Sequence, residues 1–457
     1  MRTSEIKEAI KPETISGYTG DISFRKITID SKAVAGGDLF FALRGARTDG
    51  HLFIDDAVSR GASGVVCERA PDDLNSAQIF VVTDSLAALY NIAAWKRSSF
   101  RGEVIAVTGS NGKTSTKELI SAVLSRRYNV LKSTENMNTK IGLSMALFHL
   151  EDRHDLLVLE MGTNHKGEIA ELTRFVRPHV GLITNVSAAH LEGLGTVREI
   201  LEEKGQLLRM LPPDGKALVN GDDRRLVRFA DTLRVRVWKY GIRPDNDFTA
   251  RDVVFDGFGR PSFILEGGRL VKLPTLGLHN VSNAMAAVAV GSLFDLTPAE
   301  IGEGLEEAEL PGMRTELIEL DGVRFLVDCY NANPASMKLS INTLSRIRAN
   351  RRIAVLGRMA ELGKRTRALH LGVGEEAAKN GIDILLAVGE GAHNYLDGAR
   401  MWSERNGKIP PELLSSHDVE EASSMLKGKI QRGDLVLFKA SRTARLEVLV
   451  KMITDGP

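Results

Sequence analysis

Val104-Ile105-Ala106-Val107-Thr108-Gly109-Ser110-Asn111-Gly112-Lys113-Thr114 is the stretch whose reading decides the fold of this chain. The apolar run 104–107 reads as a buried strand, and a helix is expected over 115–124. Between them, Gly109 and Gly112 let the backbone turn sharply and approach an anion closely. N–H groups at a helix start, with the helix dipole, favour negative charge. In such loops a lysine at the place of Lys113 reaches the β- and γ-phosphates of a nucleotide, and a hydroxyl at the place of Thr114 ligates Mg²⁺. The spacing is G-x-x-G-K-T, shorter than the general G-x-x-x-x-G-K-S/T. The competing reading is a plain strand-to-helix turn with a surface lysine.

Composition narrows the class. The chain has 457 residues, 43% hydrophobic and 26% charged, which suits a globular protein of roughly three domains. Lys plus Arg number 60 and Asp plus Glu 59, a formal net charge of +1, which gives no support to general nucleic-acid binding. Cys67 and Cys329 are the two cysteines, too few and too far apart for a disulfide framework or a metal-ligand cluster. The N-terminal Met-Arg-Thr-Ser-Glu-Ile-Lys lacks the apolar core of a signal peptide. No stretch has the apolar length of a membrane span. The cytoplasm is the expected compartment.

Strand-like and helix-like runs alternate along most of the chain, the pattern of an α/β protein with a largely parallel sheet. Three domains are expected, over 1–100, 101–312 and 313–457. The first carries short strands at 37–43 and 64–67 and closes with a helix over 85–97. The second continues the strand at 104–107 with those at 156–159 and 180–183. Its polar section 214–275 reads as strands and loops inserted before a helix starting near His279. Pro311-Gly312 is the expected hinge. Beyond it, strands are expected at 324–327, 353–356, 383–388 and 435–438, with helices after Pro334, Thr366, His417 and Thr443.

Two further strand ends carry chemistry. Glu160 closes the run Leu156-Leu157-Val158-Leu159, and ligands of open α/β sheets bind at the carboxyl ends of strands. A carboxylate there suits Mg²⁺, which takes hard oxygen ligands and bridges phosphates; a helix cap is the alternative. The next strand ends in Thr184-Asn185-Val186-Ser187-Ala188-Ala189-His190. After it, Thr196 reads as a helix N-cap, and Val197, Ile200, Leu201, Leu207, Leu208 and Leu211 define one apolar face. Lys204 falls inside that face. It either snorkels to solvent or is buried, and burial favours the neutral amine, which can add CO₂ to give a metal-binding carbamate.

These residues together resemble the Mur ligase family of cytoplasmic, ATP-dependent amide-bond ligases of peptidoglycan precursor synthesis, over essentially the whole chain. The resemblance implies a small N-terminal UDP-binding α/β domain, a central P-loop ATPase-like domain with a mainly parallel sheet, and a C-terminal Rossmann-like domain. It implies that Gly109, Ser110, Asn111, Gly112, Lys113 and Thr114 hold the ATP phosphates. Thr114, Glu160, His190 and carbamylated Lys204 are the implied Mg²⁺ ligands, and Lys113, His190 and Lys204 the implied catalytic set. The run Gly277-Leu278-His279-Asn280-Val281-Ser282-Asn283 resembles the segment that places two asparagines, here Asn280 and Asn283, near adenine. Arg314 matches an inter-domain arginine near the nucleotide, and Asp328 an acid near its ribose.

Asp328-Cys329-Tyr330-Asn331-Ala332-Asn333-Pro334-Ala335-Ser336-Met337 and Leu356-Gly357-Arg358-Met359-Ala360-Glu361-Leu362-Gly363 resemble signatures of the branch that adds D-alanyl-D-alanine to UDP-N-acetylmuramoyl-tripeptide. The D-N-P-R motif of the tripeptide-forming branch is absent from the chain. Implied substrate contacts are Ser31, Asp49 and His51 near the UDP group, Asn136 and Asn138, Tyr330, Asn331 and Asn333, and Lys439, Ser441 and Arg442 toward the acceptor. Turn and loop structure competes for the first three, and ordinary surface charge for the last three. Arg358 stands where an acid is usual, Ala440 where Gly is usual, and Thr139 where a second Asn is common.

The implied reaction phosphorylates the donor's terminal carboxylate with ATP and lets the amine of D-alanyl-D-alanine attack the acyl phosphate, in a monomer that needs neither nucleic acid nor membrane insertion. Three alternatives stay open: a related ligase joining another amino acid, a different P-loop phosphotransferase, and an ATP-gated binding protein.

Overall fold

The computed structural model describes residues 1–454 apart from 19, 47, 72–75 and 135–136. The chain forms two compact units, Met1–Ile105 with Asn129–Met161 and Glu171–Pro178, and Ala106–Tyr128 with Gly162–Ala170 and His179–Pro457.

The first unit is built on a five-stranded sheet in the order Thr14–Gly17, Gln78–Val81, Gly64–Cys67, Leu39–Phe41, Ile27–Thr28. Its first pair is antiparallel and the others are parallel. Side chains of a strand alternate between faces, and the sequence exploits both. Leu39, Phe41, Val66 and Phe80 pack with Ile6, Leu89 and Ile92 on one face. Phe40, Val65, Cys67 and Ile79 pack with Ile54 and Ala57 on the other. The expected helix is Ser85–Ser99, capped by Asp84, which accepts from the N–H groups of Leu86 (2.8 Å) and Ala87 (2.9 Å). The strand expected at 37–43 is shorter, Leu39–Phe41. The unit also holds the parallel strands Val130–Lys132 and Leu156–Glu160 and the helix Lys140–Phe148. Thr139 caps that helix by accepting from Gly142 N–H at 3.2 Å. Threonine and asparagine both cap helices well, so the departure at 139 keeps the local structure.

The loop-bearing strand Glu103–Thr108, whose end from Ala106 onward belongs to the second unit, leads into the helix Lys113–Leu124. Val180–Ile183, Lys216–Asn220, Arg236–Gly241 and Phe248–Thr249 pair in parallel, in that order. The section 214–275 therefore differs from expectation: its first three strands extend the parallel sheet, and the short helix Arg224–Ala230 lies among them. Their polar look comes from the half-exposed strand 236–241. Only Arg251–Phe255, Pro261–Ile264 and Leu270–Lys272 form a separate antiparallel sheet.

The remaining sheet has six strands, ordered Glu316–Leu320, Val323–Val327, Leu435–Lys439, Arg352–Gly357, Ile384–Val388, Glu412–Ser416. Its first pair is antiparallel and the rest parallel. Phe325, Val355, Leu386, Phe438 and Leu449 fill the core on one face. Helices start at Pro334, Thr366 and Val419 as expected, but the last, Leu446–Thr454, begins later, because a 3-10 turn Arg442–Ala444 intervenes. Among the described residues no helix is long and apolar enough to cross a membrane. The fold is α/β throughout.

Candidate active site

Gly112 caps the helix Lys113–Leu124 at φ 77 and contributes no side-chain cap. The helix start thus presents its dipole without a competing side chain. Glycine is required at both loop positions by close neighbours. A Cβ at Gly109 would lie 1.8 Å from Thr184 Oγ1, and one at Gly112 would lie 2.6 Å from Asn283 Oδ1.

The segment after the strand Val180–Ile183 braces the loop. Thr184 Oγ1 (2.6 Å) and Asn185 Nδ2 (2.9 Å) both donate to Asn111 O. Asn111 N–H donates to Asn185 Oδ1 at 3.1 Å and Ser110 N–H to Asn185 O at 2.9 Å. Ser187 N–H donates to Ser110 Oγ at 2.9 Å, and Asn111 Nδ2 to Ser187 Oγ at 3.0 Å. Lys113 Nζ donates to Gly109 O at 3.0 Å, so its ammonium stays over the loop. Thr114 is 3% exposed on the first helical turn.

His190 adopts a left-handed conformation, φ 52. Its Nδ1 pairs with the Glu361 carboxylate, and Glu361 O accepts from Glu192 N–H at 3.2 Å. Burial, and next the Lys113 ammonium, push the imidazole below its ordinary pKa against the pull of Glu361. A carboxylate can only accept, so Nδ1 carries the proton and Nε2 presents a lone pair, the arrangement of a metal-binding histidine. Tyr395 OH donates to Gly357 O at 2.9 Å, and Met359 N–H donates to His370 Nε2 at 3.1 Å. These two buried side chains fix the turn that carries Glu361.

Lys204 is 1% exposed on the helix Val197–Arg209, so the snorkelling alternative is set aside. Thr196 caps that helix through a reciprocal pair with Glu199. Glu203, beside Lys204, accepts from Gly167 N–H (2.7 Å) and Ile169 N–H (2.8 Å), which anchors the helix.

In the first unit, Glu160 is 2% exposed. Its N–H donates to Ser133 Oγ at 3.0 Å, and its Oε1 accepts from Asn138 Nδ2 at 2.9 Å. An expected metal ligand and an expected substrate contact thus meet. Asn136 lies outside the described residues. Asp49 Oδ1 accepts from His51 N–H (3.0 Å) and Nδ1 (2.7 Å), while His51 Nε2 accepts from Glu68 N–H (2.9 Å). The His51 bonds, backbone first, hold Asp49 below its ordinary pKa. His51 therefore braces its own loop with both nitrogens. Ser31 is buried in a 3-10 turn capped by Asp30.

Beyond residue 312, Arg314 lies 4.0 Å and Arg442 5.4 Å from the centroid of the Tyr330 ring, close enough for cation–π attraction. Asp328 Oδ2 accepts from Ser340 Oγ (2.5 Å) and Lys439 Nζ (2.7 Å). Lys439 also donates to Asp328 O (3.3 Å) and Asn331 O (3.2 Å) and is 1% exposed. Ser441 Oγ accepts from Ala360 N–H at 2.9 Å and donates to Ala332 O at 3.3 Å. Lys439, at the end of the central strand Leu435–Lys439, and Ser441 just after it both have hydrogen-bond partners inside the protein. Asn331 is exposed, and its Oδ1 accepts from Ala332 N–H at 2.8 Å. Asn333 caps the helix Pro334–Arg346, and its Nδ2 donates to Asn111 Oδ1 at 2.6 Å.

Asn280 and Asn283 are buried with internal partners. Asn280 Nδ2 donates to Thr275 Oγ1 and Leu276 O, both at 2.9 Å. Asn283 Nδ2 donates to Asn280 Oδ1 (2.9 Å), and its Oδ1 accepts from Thr116 Oγ1 (3.2 Å). They set the start of the helix Leu278–Leu293 against the phosphate-loop helix. His279, the residue before Asn280, keeps a buried Nδ1 with no hydrogen-bond partner among the described residues, beside Asp328 and Lys439. A buried orphan nitrogen at a polar cluster fits a site built for a nucleotide's donor groups.

Among the described residues no group of three or more His, Cys, Asp or Glu is placed to hold a metal. Within the second unit, Thr114 and a carbamate on Lys204 would supply the hard oxygen ligands that Mg²⁺ takes, and Mg²⁺ commonly completes its shell with phosphates and waters. Glu361 and the bracing roles of Thr184, Asn185 and Ser187 are not read from the sequence. All four lie in stretches that drew attention, but residue type names no partner.

A phosphate loop on a parallel sheet, linked by side chains to a second α/β sheet, defines a P-loop enzyme that acts on nucleotides. Comparison with known proteins narrows the class. Family models match residues 23–96 (Mur ligase family, catalytic domain), 107–291 (Mur ligase middle domain) and 313–442 (Mur ligase, glutamate ligase domain). The UDP-N-acetylmuramoyl-tripeptide--D-alanyl-D-alanine ligase of Bacillus subtilis is 33% identical, over 99% of both chains. Among solved structures, MurF from Acinetobacter baumannii superposes with a TM-score of 0.88 at 30% identity, over 99% of this chain and 98% of that one. MurF ligase from Thermotoga maritima in complex with ADP gives 0.80 at 30% identity, over 94% and 97%. The chain belongs to the Mur ligase family.

Proposed function

We propose that the chain joins D-alanyl-D-alanine to UDP-N-acetylmuramoyl-tripeptide, driven by ATP through an acyl phosphate. The observation that carries this reading is the braced phosphate loop, contacted through Asn111 by the Tyr330–Asn333 segment. Relatives of that activity, alike over their full length, support it.

On this reading residues 1–100 bind the UDP-sugar, 101–312 bind ATP, and 313–457 bring the acceptor and close over the nucleotide. The chain works in the cytoplasm as a monomer. A carboxylate is a poor acyl donor because its oxygen leaves as a strong base, and phosphorylation repairs that. The γ-phosphoryl group of ATP passes to the donor's terminal carboxylate. The acceptor amine attacks the acyl carbon, loses a proton, and inorganic phosphate leaves. Lys113 and the helix start stabilise the charge of the transferring group. His279, Asp328 and Arg314 face the nucleoside, with Asn280 and Asn283 holding the helix behind it. Thr114, Glu160, His190 and Lys204 as its carbamate would hold Mg²⁺, which when bound neutralises phosphate charge. Closure of the last domain excludes water from a hydrolysis-prone intermediate.

The test mixes protein, ATP, Mg²⁺ and donor with equimolar D-alanyl-D-alanine, diaminopimelate, lysine and glutamate, and reads products by mass spectrometry. The expected product is the D-alanyl-D-alanine amide, with one ADP and one phosphate each. An amide to another amine, a stable phosphorylated product, or ATP bound without turnover overturns the reading. Lys204→Ala is expected to be inactive and restored by a short carboxylic acid; full activity of that variant ends the carbamate assignment.

A further inference from the structure

We infer that Asn333 is a positioning residue of the ligation, acting on the phosphate loop through Asn111 rather than touching the acceptor; this rests on the ligase reading. The hydrogen bonds of Asn333 leave its amide one orientation. Its Oδ1 accepts from Ser336 N–H at 3.0 Å, and its own N–H donates to Ser336 Oγ at 3.0 Å, which caps the helix Pro334–Arg346. With Oδ1 fixed there, Nδ2 is aimed away from the helix, and it donates to Asn111 Oδ1 at 2.6 Å.

The orientation of Asn111 is equally determined. Asn333 Nδ2 can only donate, so Asn111 turns Oδ1 to it, which leaves Asn111 Nδ2 to donate to Ser187 Oγ at 3.0 Å. The backbone N–H and C=O of Asn111 are held by Asn185 and Thr184. Asn333 is 9% exposed, with its carbonyl committed to the cap and its amide to the loop. The contact joins residues 222 apart in sequence. It registers the helix cap that follows Tyr330 and Asn331 against the loop that carries the phosphoryl group.

Serine caps a helix about as well as asparagine but is too short to reach Asn111. Asn333→Ser therefore removes the link and keeps the helix. The variants Asn333→Ser, Asn111→Ala and their combination are compared for kcat, for KM of ATP and of D-alanyl-D-alanine, and for melting temperature. Asn333→Ser is expected to lower kcat about five- to tenfold, the loss of one hydrogen bond, with acceptor KM and melting temperature near parental. The double variant is expected to fall no further than Asn111→Ala, as for two residues acting through one contact. Multiplicative losses, a raised acceptor KM with kcat intact, or parental kcat in Asn333→Ser overturn the proposal. Failure of the parental chain to form the D-alanyl-D-alanine amide refutes the ligase reading instead, and the proposal with it.

Discussion

Gly109→Ala tests whether the shape of the phosphate loop is dictated by what stands behind it. The added methyl would lie 1.8 Å from Thr184 Oγ1, 3.1 Å from Thr184 Cβ and 3.2 Å from Thr184 N. The first distance is far inside van der Waals contact, so the loop or Thr184 must move by more than an ångström. The 2.6 Å bond from Thr184 Oγ1 to Asn111 O breaks first, and the neighbouring Asn185 bonds are strained with it. Lost hydrogen bonds and overpacking each cost about 1–3 kcal/mol, so a total of about 2–6 kcal/mol is expected. Taken at about 3 kcal/mol in ATP affinity, that is roughly a hundredfold weaker binding, measured by titration calorimetry. Thr184→Ala alone removes one hydrogen bond and is expected to weaken binding about fivefold. In the double variant the colliding oxygen is gone and the nearest contacts are the 3.1 and 3.2 Å ones. Its ATP affinity should therefore exceed that of Gly109→Ala. Parental affinity in Gly109→Ala, or a double variant weaker than Gly109→Ala, refutes the reasoning.

Other consequences are open to direct measurement. Lys439→Met leaves the Asp328 carboxylate without its buried partner and is expected to lower unfolding stability by about 3–5 kcal/mol in urea titrations. Burial pushes the Cys67 thiol up to about 11 and the Cys329 thiol up to about 12. Neither should react with iodoacetamide at pH 8 in the native protein, and both should react once it is unfolded. The Thr297 N–H, then its hydroxyl and Arg127, lower the Glu300 carboxyl from 4.5 to about 2. A carboxyl lowered on folding contributes stability above its unfolded value, lost as pH falls toward the folded one. Glu300→Gln should thus flatten the melting temperature between pH 4.5 and 2.

Much of the fold is visible in residue pattern because the central strands are short apolar runs and helix starts such as those at Asp84, Thr139, Thr196 and Thr297 carry their own caps. Gly109 to Thr114 announce the loop by two turn-permitting glycines followed by a lysine and a hydroxyl at a helix start. The face of the helix Val197–Arg209 shows Lys204 inside an apolar stripe, and the structure buries it. Pattern fails where pairing decides. The half-exposed strand Arg236–Gly241 looks like insertion until its parallel register with Lys216–Asn220 is seen. Lys439 looks like surface charge until the strand that carries it is found between Val323–Val327 and Arg352–Gly357. His190 and Glu361 stand 171 residues apart, and nothing local to either names the other.

The position of Leu435–Lys439 governs how this part of the molecule can be made. The strand of this sheet that comes last in chain order fills its middle, so Val323–Val327 and Arg352–Gly357 have no common neighbour until it arrives. While it emerges, the earlier strands hold open edges, a state prone to mispairing. A chain cut short near residue 430 would lose the centre of that sheet rather than its margin, and Asp328 would lose its counter-charge. This sheet is therefore completed only once residues 435–439 have been made.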